Sequence, residues 1–168
     1  VDRTRRSAAG KSAGMIAERL NAGDAIVLFP EGTTGDGYAV LPFRSALVGA
    51  AREAAAGGEK ITVQPMAVAY LGFHGMALAR AEMPRIAWYG DMDLASHLSR
   101  LIAIGGVDAV VAFGHPMRFA ADTDRKRITA AAEAEVRSMV RALHARRPVP
   151  VAQAMPVAPV LLNPAETG

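Results

Sequence analysis

The residues best suited to chemistry lie in one loop. The apolar run Ala25-Ile26-Val27-Leu28-Phe29 leads straight into Pro30-Glu31-Gly32-Thr33-Thr34-Gly35-Asp36-Gly37. A carboxylate delivered at the end of a buried strand can accept hydrogen bonds from a polyol or amine ligand. In open α/β sheets such strand ends hold polar groups on a rigid layer while keeping them accessible. The alternative for Glu31 is a loop carboxylate that caps backbone amides. Thr33 and Thr34 carry hydroxyls that either donate to a ligand or satisfy the turn itself. Arg3, with Arg5 and Arg6, forms a second polar group, because guanidinium binds phosphate or carboxylate in a bidentate fork. For Arg5 and Arg6 the plainer reading is a solvated basic patch.

Other chemistries find no support. Cysteine is absent, which removes disulfides, thiolate nucleophiles and Cys-built zinc sites. His97 and His115 have no partners at ligand spacing. Asp91 reads as a helix N-cap, which explains the Asp91/Asp93 pair without a metal. The Gly-rich loop lacks the Gly-Lys-Ser/Thr ending of a phosphate-cradling nucleotide loop, and no Gly-x-Ser-x-Gly elbow occurs.

The elements that must position the loop follow from periodicity. Ala13, Ile16, Ala17 and Leu20 form one helical stripe, stopped by Asn21-Ala22-Gly23, and residues 25–29 read as the strand that it feeds. Residues 44–54 read as a helix rich in small side chains. Residues 61–70 read as a strand in which Pro65 marks an edge, a bulge or an end. Residues 85–90 read as a short strand, residues 94–102 as a helix closed by Gly105-Gly106, and residues 107–114 as another strand. From Thr123 a longer helix places Ile128, Ala132, Val136, Met139, Val140 and Leu143 on one side. The apolar stretch 71–78 is read as touching either core or a membrane and acyl chain. The alternation predicts an α/β layered domain over residues 1–146, with a mostly parallel or mixed sheet covered by helices. Residues 147–168, with five prolines and no periodicity, are expected to be a disordered tail.

The 168 residues hold one domain's worth of core, and their net charge is only +3. That suits an anionic membrane surface, an acidic partner or a phosphorylated ligand, and it is too weak to argue for nucleic acid. An aromatic content of 5% also argues against a base-stacking platform. No run of about eighteen apolar residues predicts a spanning helix. No apolar segment of a signal peptide follows the basic amino end.

Three ordered blocks give the sharper reading. Val1-Asp2-Arg3, Phe29-Pro30-Glu31-Gly32-Thr33 and Val63-Gln64-Pro65-Met66-Ala67-Val68 resemble the second, third and fourth blocks of the glycerolipid acyltransferases. The resemblance covers the first two thirds of the chain. It implies an acyltransferase-type fold and transfer of a fatty acyl group from a thioester to a lysolipid hydroxyl. In that family a preceding His-x4-Asp block supplies the base that activates the hydroxyl. Here the four histidines are followed five positions later by Ala79, Ile102, Ala120 and Val149. The resemblance therefore implies that the catalytic pair lies upstream of Val1, that the chain lacks the first part of the domain, and that no catalytic residue is in hand. It assigns acceptor binding to Arg3, Glu31, Gly32, Thr33 and Thr34.

Many relatives continue the third block with Arg-Ser, where this chain has Thr34-Gly35. With Asp36-Gly37, Leu41-Pro42-Phe43-Arg44-Ser45 and Trp88-Tyr89-Gly90-Asp91-Met92, the chain looks closer to the lyso-ornithine lipid O-acyltransferases, whose acceptor carries a free carboxylate and amine. Arg44 is then the candidate anion contact in place of Thr34. The rival acceptor is 1-acylglycerol-3-phosphate. The resemblance further implies acyl carrier protein or coenzyme A as the thioester co-substrate, no other cofactor, and a peripheral place at the cytoplasmic face of the bacterial inner membrane. The alternative of a different class is a non-catalytic lipid or carrier-protein binding module.

Overall fold

A computed structural model describes residues 14–45, 61–120 and 122–149. Residues 14–21 are helical. The further elements are β1 (Ile61–Val63), β2 (Met66–Phe73), β3 (Met76–Ala77), a 3-10 helix (Arg80–Arg85), α1 (Leu94–Ile104), β4 (Val107–Phe113), β5 (Met117–Phe119) and α2 (Arg125–His144). The candidate helix over 44–54 and the tail from residue 150 lie outside the described residues.

The core is a helix on a small sheet, and it is mixed α/β. β2 pairs antiparallel with β4 from Met66↔Phe113 to Phe73↔Val107, and β3 adds a hairpin on the other side of β2. Ala67, Ala69 and Ala112 turn inward with almost no exposure and meet Val136, Met139, Val140 and Leu143 of α2. Alanine on the strand side lets the helix approach closely, so larger residues on α2 fill the gap. A second cluster joins Phe119 and Ile128 to Ile61 and Val63, where β1 pairs antiparallel with β5. The stripe expected on the last helix is thus buried as read. Asp124 starts that helix by accepting from Lys126 N–H at 2.9 Å.

Four expectations need correction. The sheets are antiparallel, and no parallel pair occurs among the described residues. Residues 25–29 form no strand among the described residues, with Val27 65% and Phe29 68% exposed. A strand's hydrogen bonds must come from another strand, so an apolar run alone does not make one. Residues 85–90 form no strand. Met83, Ile86 and Ala87 are buried at i, i+3, i+4, and the amides of Ile86 and Ala87 both donate to Met83 O, so the run continues a helical turn. Finally, Asp93 rather than Asp91 caps α1, accepting from Ser96 N–H at 2.8 Å. Pro65 falls in the break between β1 and β2, as a residue without an N–H should.

Candidate functional site

The loop after residue 29 is closed by its own carboxylate. Leu41 N–H donates to Glu31 Oε2 at 2.7 Å, a half-buried bond that spans ten residues and fixes the two ends of the loop together. The backbone reinforces this closure, with Arg44 N–H donating to Pro30 O at 2.8 Å and Gly32 N–H to Phe29 O at 3.3 Å. Asp36 organises the middle by accepting from the amides of Tyr38 and Ala39 at 3.0 and 3.1 Å. Those two amides hold its carboxyl below the usual carboxylate range.

Closure brings Arg44 onto Gly32. Gly32 sits at φ +68, in the left-handed region that favours glycine, and a Cβ added there would meet Arg44 Cδ and Nε at 3.0 Å. The Arg44 side chain therefore lies along the turn that follows Glu31. It is exposed and makes no ion pair among the described residues. Thr33 and Thr34 stand exposed on the same turn. The structure thus gathers Glu31, Gly32, Thr33, Thr34 and Arg44 in one place. Arg3 lies outside the described residues.

What holds this loop was not visible in local sequence. Phe43 N–H donates to Glu133 Oε2 of α2 at 2.8 Å, across 90 positions of chain, and Arg137 Nε donates to Glu133 Oε1 at 2.9 Å. The Phe43 amide is the main reason that the Glu133 carboxyl stays below its ordinary range. Val40 and Phe43 pack against the core of β2, β4 and α2. Tyr38 stacks on His144 with centroids 4.5 Å apart, and the Arg80 guanidinium lies 4.7 Å over the Tyr38 ring. Burial lowers the His144 pKa, and the nearby Asp36 opposes that in part. The amphipathic pattern of α2 located its buried face. Nothing in it indicated that the charged face would grip a loop.

As chemistry, the arrangement offers an exposed guanidinium lying along the turn, exposed hydroxyls, and a carboxylate with one oxygen already committed to a backbone amide. Among the described residues, no cluster of metal-ligating side chains is present.

Known proteins with related sequences bear on what is recognised. The acyltransferase family profile matches residues 1–69, which includes this loop. The lyso-ornithine lipid O-acyltransferase of Brucella abortus is 44% identical over 154 residues, covering 90% of this chain and 58% of the relative. Lyso-ornithine lipid O-acyltransferases of Rhizobium meliloti and Rhodobacter capsulatus are 34% and 35% identical, over 83% and 74% of this chain and 49% and 43% of the relatives. The chain spans about half the length of these relatives. No solved structure matches it. The Phe29–Thr33 block, closed into an anchored loop, lies within residues 1–69, which match the acyltransferase family profile, and the relatives agree with that match.

Proposed function

We propose that the protein carrying this chain is an O-acyltransferase of membrane lipid synthesis that esterifies the hydroxyl of lyso-ornithine lipid. The observation that carries the reading is the Arg44 guanidinium held along the Gly32 turn, in a chain 44% identical to a lyso-ornithine lipid acyltransferase. The acceptor's headgroup offers a carboxylate, which guanidinium binds well, and an amine, which the second oxygen of Glu31 suits. Thr33 and Thr34 border the same surface and complete it, with Arg3 as a further anion contact.

In the reaction the acceptor hydroxyl oxygen attacks the thioester carbonyl. A C–O bond forms, the C–S bond breaks, and the hydroxyl proton passes by way of a base to the departing sulfur. No histidine here has an aspartate five positions on, so the base is assigned to part of the protein outside these 168 residues. The chain's share of the work is acceptor binding and orientation. The donor is an acyl carrier protein or coenzyme A thioester, and no further cofactor is required. The surroundings are an anionic bilayer at the cytoplasmic face, and the full domain is a layered α/β sheet in which residues 25–29 gain a strand partner.

Arg44→Gln in the intact gene product tests the role of the loop. KM for lyso-ornithine lipid should rise about tenfold, the loss of one charge-assisted hydrogen-bond pair, with kcat nearly unchanged. An unchanged KM removes Arg44 from the acceptor site.

A further inference from the structure

The last four residues of the Pro30–Arg44 loop have every backbone N–H accounted for. Leu41 donates to Glu31 Oε2 at 2.7 Å, Phe43 to Glu133 Oε2 at 2.8 Å and Arg44 to Pro30 O at 2.8 Å, while Pro42 has no N–H to place. Two of these bonds turn back onto the start of the loop. Residues 30–32 and 41–44 thereby form one body, with the Arg44 side chain lying along Gly32. The third bond leaves that body and ends on α2.

Packing also holds the body, through Val40 and Phe43 against the core and Tyr38 stacked on His144. Apolar contact is non-directional, whereas a hydrogen bond weakens steeply once its angle is lost. The Glu133 bond therefore sets where the body sits on α2. Glu133 is itself oriented from its own helix, because Arg137 donates Nε to Oε1 at 2.9 Å and leaves Oε2 for Phe43. The Glu133 side chain is only 25% exposed, and an ionised acceptor makes the bond one of the stronger kinds. Phe43 immediately precedes Arg44, so a shift at its amide moves the root of the guanidinium. Glu133 lies well beyond residues 1–69, so the matched profile contains the loop and leaves out the residue that seats it.

We propose that Glu133, oriented by Arg137, is a positioning residue for the acceptor: it seats the Phe43–Arg44 backbone on α2 and so sets where the Arg44 guanidinium meets the acceptor's carboxylate. The proposal rests on the lyso-ornithine lipid reading and deepens it by placing a determinant of acceptor binding on α2. Glu133 touches no substrate. Without its side chain, Arg44 is still present but displaced.

The test uses the intact gene product with lyso-ornithine lipid and an acyl carrier protein thioester. Glu133→Ala should raise KM for lyso-ornithine lipid about tenfold, the loss of one charge-assisted hydrogen bond, with kcat and the donor KM within about twofold of wild type. Glu133→Gln keeps a carbonyl oxygen for the Phe43 amide and should recover most of that loss. Added to Arg44→Gln, Glu133→Ala should raise the acceptor KM by less than about a further twofold, because both changes remove the same contact. A merely structural role would raise donor and acceptor KM alike, or add in full to Arg44→Gln, and either result overturns the proposal. So does an acceptor KM that Glu133→Ala leaves unchanged. Should Glu133→Ala fail to fold, Arg137→Gln removes only the orienting donor and should raise the acceptor KM about threefold, with an unchanged KM again overturning the proposal. If the wild-type protein forms no ester on lyso-ornithine lipid, the enzyme reading falls and the proposal with it. Ester formation with an acceptor KM indifferent to these substitutions removes the proposal alone.

Discussion

At the scale of single residues, the loop rests on two titratable groups of α2. His144 stacks beneath Tyr38, and its burial favours the neutral ring, so its pKa in the fold lies below the ordinary 6.5. The unfolded chain therefore takes up that proton first. The stability that depends on neutral His144 is whole above pH 6.5 and is lost as pH falls through the lowered value. Between about pH 7.5 and pH 5.5, thermal melts should move to lower temperature, and His144→Phe, which keeps the stack and cannot titrate, should flatten that trend. An equal trend in the variant would place the sensitivity elsewhere. Glu133 responds only in stronger acid. Its carboxylate is held below 4.5 by the Phe43 amide, so its grip on the loop is intact above that value and fades as pH drops through the lowered one. Glu31 is the residue whose meaning changed most. Its Oε2 closes the loop on Leu41, so the amide-capping alternative is realised, and only the other oxygen is available to an acceptor.

At the scale of elements, periodicity was a good guide where one face is buried by contacts the element makes along its length. The α2 stripe was legible because seven buried positions recur at helical spacing, and β4 was legible as an apolar run interrupted only by Asp108. Met139 is fully buried against the alanines of β2 and β4, so Met139→Ala should cost about 3 kcal/mol in a chemical-denaturation experiment, near the middle of the range for deleting a buried methionine side chain. A cost below about 1 kcal/mol would mean that the helix–sheet interface is not the main core. Where burial depends on distant chain, sequence misled. The Met83/Ile86/Ala87 triplet was hidden because Pro84 interrupts it, and the following Trp88-Tyr89 mimics a strand. β5 was missed because three residues, Met117–Phe119, carry too little pattern, and only pairing with β1 defines them. The Phe43–Glu133 bond has no local signature at all.

At the scale of the whole molecule, the described residues combine an antiparallel helix-on-sheet core, the candidate loop fastened to that core, and apolar surface at residues 25–29 and on α1. No helix among them is long and apolar enough to cross a membrane. The third block of the family lies on the loop and the fourth runs from the end of β1 through Pro65 into β2, and the sequence reading picked out Glu31–Thr34 and Arg44 as candidates while leaving the loop's supports unseen. The central claim is that this loop serves a lysolipid acceptor whose headgroup carries a carboxylate. The most direct measurement is acyl transfer by the intact gene product from an acyl carrier protein thioester, with lyso-ornithine lipid and 1-acylglycerol-3-phosphate compared at equal concentration. The account predicts ester formation on both or on lyso-ornithine lipid alone, with kcat/KM at least about tenfold higher for lyso-ornithine lipid, the size of one well-placed charged contact. A preference for 1-acylglycerol-3-phosphate, or lipid binding with no ester formed on either acceptor, would contradict it.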